Sequence, residues 1–172
     1  MAKTTFSGPV ISKNGFKNLG PDMTVSLTAD TSLTVATHAG KILLCNDADG
    51  KFTLPSINVN ANGATAGDND FNNLNNIGAQ FKFFVETAAT DMDIKTDGTD
   101  KFKGAVMIGV NDGSKKAFVP GATNDVITMN GSTKGGIAGS IITITAIDTA
   151  TYMVSDALLI GSGTIVTPFA DA

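Results

Sequence analysis

Apolar and polar residues alternate in short runs from Thr24 onward, the pattern of strands with one buried face. The segments 24–27, 32–35 and 51–54 follow this period of two, and Pro55 closes the last of them. By the same criteria we predict further strands at 41–46, 80–85, 92–95, 105–109, 116–119, 125–129, 140–145 and 151–160. No stretch shows a helical period long enough to predict a helix.

Glycine-containing turns separate these segments. Asp97-Gly98, Asp112-Gly113 and Asn130-Gly131 are turn pairs, and 47–50 reads as a hairpin turn between two strands. The stretch 161–169 is predicted to be a last edge strand or a second arm. Roughly ten short strands at this spacing predict an all-β fold, either a β-sandwich or a jelly-roll-like barrel.

Two segments differ from this pattern. Residues 1–22 contain three breaker pairs and few apolar side chains, so we expect an extended N-terminal arm laid on its own domain or on a neighbour. Residues 23–172 then form a single domain. Within it, 58–79 is an asparagine-rich loop, and long loops of this kind are often functional. The run 41–46 is continuously apolar inside, which predicts that both faces of its strand are covered.

Composition narrows the function. The 172 residues include no Trp, no Arg and one His, and the net charge is −4. The chain has no arginine guanidinium groups to bind phosphates or bases, and its lysines form no basic stripe, so we expect no nucleic-acid binding. No apolar stretch reaches the ~20 residues that span a bilayer, and no secretory signal is visible, so we expect synthesis in a cytoplasm and no membrane partner. Cys45 is the single cysteine and is expected to be buried and inert.

The sequence gives little support for a catalytic or metal-binding site. His38 lacks a nucleophile motif around a serine, so a turn histidine bonded to backbone is favoured over a catalytic base. Aspartates gather at predicted turns, but a glycosidase needs two carboxylates across a cleft and usually an aromatic platform. Asp47-x-Asp49 and Asp91-x-Asp93 resemble fragments of calcium loops without completing the pattern. We therefore expect that the protein is not an enzyme and that it holds no cofactor and no metal. Exposed apolar surface and unpaired strand edges are the better candidates for a functional surface, since a symmetric oligomer would close them.

Several segments resemble small structural proteins of tailed bacteriophages, particularly marine ones. The resemblance lies in the opening at 6–16, the segment 33–40, the Leu54-Pro55 strand end, the stretch 125–136 and the close at 161–169. The asparagine-rich stretch 66–78 looks like an insertion relative to that pattern.

The resemblance implies a capsid decoration, or cement, protein on the exterior of the virion, made in the host cytoplasm. Its expected partners are the major capsid protein and two further copies of itself, in a homotrimer that stabilises contacts between capsomers. Five arm residues are the expected capsid or neighbour contacts: Phe6, Pro9, Val10, Ile11 and Phe16. The alternatives are a head-fibre or tail-associated module that binds a receptor or glycan through the 58–79 loop, and an enzyme such as a depolymerase.

Overall fold

The computed structural model describes residues 23–58 and 76–172, and these ranges are almost entirely β-structure. The described strands are β1 (Thr24–Leu27), β2 (Thr31–Ser32), β3 (Ile42–Cys45), β4 (Lys51–Thr53), β5 (Gln80–Val85), β6 (Met92–Lys95), β7 (Lys101–Gly104), β8 (Val106–Val110), β9 (Lys115–Phe118), β10 (Val126–Met129), β11 (Ile141–Ala146), β12 (Thr151–Gly161) and β13 (Phe169–Ala170). A single helical turn, α1 (Val35–His38), lies between β2 and β3. The predicted all-β class is confirmed.

The strands form a large and a small mixed sheet. The large sheet has the order β1-β3-β5-β11-β12-β8-β9, with β7 also paired to β12. The small sheet has the order β13-β10-β6-β4-β2. Burial alternates along β5, where Phe81, Phe83 and Val85 are buried and the residues between them are not. This is the period of two that the sequence shows, and it gives the large sheet one core face and one outer face.

The core lies between the two sheets. Phe52 on β4 and Phe83 on β5 stack across it, with ring centroids 6.5 Å apart. Tyr152 of β12 is also buried there, and its hydroxyl donates a hydrogen bond to the carbonyl of Pro55. Because side chains of both sheets share this core cluster, the described residues pack as a two-layered β-domain.

The long strand β12 contains a bulge that reverses its facing. Residues 151–154 pair with the β7 residues that lie 50 positions earlier in the sequence. Residues 158–161 pair with the β8 residues that lie 51 positions earlier, so one residue of β12 is extra. The extra residue lies near Asp156, whose φ of 44° is positive. Strict alternation from Met153 would turn Leu159 outward. The bulge instead buries Leu159 and turns Leu158 outward.

Most predicted strands are present within a residue or two, and the tail contributes β13 as an edge strand of the small sheet. The predicted hairpin at 47–50 is wrong, because β3 belongs to the large sheet and β4 to the small one. The strand predicted at 32–35 is mostly wrong. It stops at Ser32, and Thr34 then caps α1 by accepting a hydrogen bond from the Thr37 N–H.

Candidate interaction surface

Five apolar side chains lie side by side across the outer face of the large sheet. Leu44 of β3 is paired with Phe84 of β5, which is paired with Ile141 of β11. Ile141 is paired with Leu158 of β12, and Leu158 with Met107 of β8. Leu44 is half-buried, and the other four are 36–47% exposed. We call these five residues the outer row.

Polar side chains border the outer row over β5 and β11, whereas the exposed Ile42 on β3 and Ile160 on β12 extend it along those two strands. The next positions along β5, β11 and β12 are Lys82, Thr143 and Ser155, which are paired with one another. On the opposite side of the row, Glu86 directly follows the last residue of β5 and accepts a hydrogen bond from the side chain of Asn46. A shallow depression of about 200 Å³ lies over β3, β5 and β11, between the outer row and Ile42. The apolar band is therefore narrow and runs across the strands.

The continuous apolar runs of the sequence signal this surface. The prediction that both faces of the 41–46 strand are covered is wrong for the subunit taken alone, because Ile42 is 44% exposed while Leu43 is buried. In each run, one side chain enters the core and its neighbour must face outward. What the sequence does not reveal is that these outward residues align across five strands, since that depends on register and on the β12 bulge.

Strand edges, which the sequence also suggested as association sites, are less inviting. The small sheet ends in β2 and β13, each two residues long. One edge of the large sheet is β9, which carries Lys115 and Lys116. Short strands and lysines are the usual means of blocking edge-to-edge pairing. Among the described residues, the outer row is therefore a better candidate for association than the edges at β2, β9 and β13.

His38 has a structural role. Its Nδ1 accepts a hydrogen bond of 2.9 Å from the Thr34 N–H, one turn earlier, and the side chain is buried. The backbone-bonded turn histidine that we predicted is thus confirmed. Burial lowers the pKa of His38. The Thr34 carbonyl opposes this by accepting a hydrogen bond from the protonated ring, and nearby Lys41 lowers the pKa further.

Because the folded state disfavours protonation of His38, stability should depend on pH. Above a pH of about 6.5 both folded and unfolded chains hold a neutral imidazole, and the full stability is present. As the pH falls below that value the unfolded state takes up the proton first, so the free energy of unfolding decreases. We expect His38→Asn, which cannot titrate, to remove this part of the pH dependence. Urea unfolding at about pH 7.5 and at about pH 5 gives the free energy of unfolding at each pH. If this free energy falls equally between the two pH values in His38→Asn and in the unmodified protein, the assignment to His38 is contradicted.

Asp91 and Asp93, one of the two aspartate pairs that resemble calcium ligands, share Lys51 as a counter-ion. The Nζ of Lys51 lies 3.0 Å from a carboxylate oxygen of Asp91 and 3.0 Å from one of Asp93. Within residues 23–58 and 76–172, no cluster of three or more His, Cys, Asp or Glu side chains could hold a metal ion. The carboxylate of Asp97 stabilises the turn that follows it, by accepting hydrogen bonds from the Thr99 and Asp100 N–H groups. Partial burial raises its pKa, but hydrogen bonds from Ser56 and Thr99 outweigh this effect and bring the pKa to about 2.

The remaining sequence candidates divide into described and undescribed residues. Cys45 is buried as predicted, and burial raises the pKa of its thiol to about 12. Phe6, Pro9, Val10, Ile11 and Phe16 lie outside the described residues, as does 59–75 of the asparagine-rich loop. At the base of that loop, the side chain of Asn76 accepts a hydrogen bond from the Asn58 N–H and donates one to the Ser56 carbonyl.

Comparisons with protein-family models, with curated proteins and with solved structures find no match for this chain. In the part of the chain that the structure describes, no helix is long and apolar enough to cross a membrane.

Proposed function

We propose that the protein is a capsid decoration protein of a tailed bacteriophage. In this role it forms a homotrimer on the exterior of the virion, binds the major capsid protein and stabilises contacts between capsomers. The proposal assigns it no enzymatic activity and no cofactor. The observation that carries it is the outer row, an apolar band left open on an otherwise well-packed β-domain.

An apolar band of this kind favours a role in assembly. Single exposed apolar residues are normal on a protein surface, but a large contiguous group marks an interaction site, of which a contact with another polypeptide is the commonest kind for a flat sheet face. Here four side chains that are each more than one-third exposed adjoin in register. The resemblance to phage head proteins suggests which partner covers this surface, since such proteins act by binding their neighbours in the virion.

The mechanism would be multivalent attachment. Each subunit of a trimer contacts the shell weakly, and the three contacts share one body. When one contact opens, the other two hold it near its site, so rebinding is faster than escape. A trimer bound where capsomers meet therefore dissociates slowly, without any strong single contact. The N-terminal arm supplies the capsid or neighbour contact in this proposal, through Phe6, Pro9, Val10, Ile11 and Phe16.

Removal of residues 2–20 tests the arm. We expect the truncated protein to bind empty phage heads at least roughly tenfold more weakly, because the loss of several apolar contacts with the shell, or with the neighbour that holds the trimer together, costs more than ~1.4 kcal/mol. Co-sedimentation of purified protein with heads measures the binding. A full-length variant with the five apolar arm residues changed to serine separates their contacts from the length of the arm.

Two results would count against these assignments. Undiminished binding by both arm variants would remove the arm from the mechanism. Failure of the unmodified protein to bind heads, together with labelling of the tail rather than the shell in intact virions, would refute the decoration role and favour a receptor-binding module.

A further inference from the structure

The shape of the outer row suits an extended segment better than a second sheet. The row crosses five neighbouring strands, so its length is about 19 Å for four inter-strand steps of ~4.8 Å. Across β5 and β11 it is one side chain wide, on β12 the exposed Ile160 extends it along the strand, and Lys82 and Ser155 adjoin its other side. Packing of a second flat sheet would bury the exposed Lys82 as well. A single extended segment covers the apolar side chains and leaves the lysine in water.

The N-terminal arm has the length to be that segment. The 11 residues from Phe6 to Phe16 span up to ~35 Å when extended, which exceeds the length of the row. They carry five apolar contact candidates among small polar residues, and the pairs Gly8-Pro9 and Asn14-Gly15 disfavour a helix.

The overall charges of the arm and the domain are opposite, and the charges that border the outer row, Lys82 and Glu86, cancel. The arm, residues 1–22, contains three lysines and one aspartate, a net charge of +2. Residues 23–172 contain nine lysines and fifteen acidic residues, a net charge of −6. The arm therefore carries the sign opposite to that of the domain. Attraction between them is long-ranged at low salt and weakens as salt is added.

We propose that residues 6–16 of one subunit lie across the outer row of the neighbouring subunit. This inference rests on the proposed homotrimer. A contact between an arm and a sheet face joins two different surfaces, and repeated head-to-tail contacts of this kind close into a ring of three when each subunit is rotated by a third of a turn from the last. A face-to-face contact of two outer rows would instead be self-complementary and give a two-fold dimer. The arm-to-face contact thus supplies each subunit with one donor and one acceptor surface.

Engineered cysteines test which subunit donates the arm. The variant Ile11→Cys, Leu158→Cys places one thiol in the arm and one in the outer row. Cys45 does not interfere, because it is buried and its thiol pKa is about 12. Under mild oxidation we expect disulfides between chains, with a covalent product of three chain masses on a non-reducing gel. A disulfide within one chain, seen at the mass of the monomer, would overturn the proposal in favour of the subunit's own arm.

Met153 provides a matched control. It faces outward on the same strand as Leu158, with similar exposure, but is paired with Thr145 away from the outer row. We expect Ile11→Cys, Met153→Cys to cross-link at least roughly fivefold more slowly, because cross-linking needs the two sulfur atoms in close contact. Equal rates for the two pairs would overturn the assignment of the arm to the outer row.

Substitutions without cysteines give an independent readout. Phe84→Ser and Leu158→Ser remove apolar surface from the row, and both side chains face away from the core. We expect each to weaken trimer formation roughly tenfold in sedimentation experiments, whereas Met153→Ser leaves it unchanged. An unchanged trimer in both row variants would overturn the proposal. If the unmodified chain is a trimer that binds heads while the cross-links fail, only this inference falls; if it binds no heads, the proposed function falls.

Discussion

Phe52→Ala should lower the free energy of unfolding by about 3–5 kcal/mol, the usual cost of truncating a fully buried phenylalanine. Phe52 is 0% exposed and stacks on Phe83, so it joins the small sheet to the large one. Its ring also lies against the backbone of Gly50, where an added Cβ would come within 2.7 Å of the ring. Such close packing on several sides leaves the structure little room to collapse into the cavity.

Chemical denaturation followed by circular dichroism measures this loss. Phe52→Leu is the matched control, since leucine keeps much of the volume and all of the apolar character. We expect it to cost about half as much or less. Similar denaturation midpoints for Phe52→Ala and the unmodified protein would show that the two sheets do not depend on this contact.

Gly104→Ala should be destabilising by about 3 kcal/mol, which is large for the addition of one methyl group. Gly104 ends β7 with a φ of +119°, in a region that other residues rarely adopt. An added Cβ would also lie 2.2 Å from the carbonyl oxygen of Val154 on β12. Backbone strain and a steric clash therefore act together at the point where β7 gives way to β8.

Gly109→Ala is the control for Gly104→Ala. Gly109 lies on β8 beside the same strand β12, and an added Cβ there would meet no atom within 4 Å. We expect its free energy of unfolding to change by no more than about 0.5 kcal/mol. If the two alanine variants unfold at the same denaturant concentration, the close approach of β7 and β12 is not what the glycine provides.

The strands could be predicted because their signals are local. Alternation along 80–85 and the turn pairs Asp97-Gly98 and Asn130-Gly131 depend on neighbouring residues alone, and both glycines have positive φ as such turns require. The pairing of strands is not local. The turn at 47–50 resembles a hairpin, yet it carries the chain from one sheet to the other, which places Phe52 in the core between the sheets.

The candidate surface was predictable only in part. The adjoining apolar residues Ile42 and Leu43, and Phe83 and Phe84, indicate strands with apolar side chains on both faces. The alignment of Phe84, Ile141 and Leu158 follows from register, and the outward position of Leu158 follows from the bulge near Asp156. A short run of sequence contains no signal for either. The contact role of the arm stays a prediction, because its residues lie outside the described ranges.

The order of the large sheet has a consequence for biosynthesis. Its middle strands, β11 and β12, are among the last in the chain, whereas β1, β3 and β5 on one flank come early. On a ribosome, the early strands therefore leave the exit tunnel long before the partner that follows β5 has been translated. Until Ile141–Ala146 emerges, β5 has no neighbour on that side, and the nascent chain exposes an edge that chaperones or other nascent chains can bind.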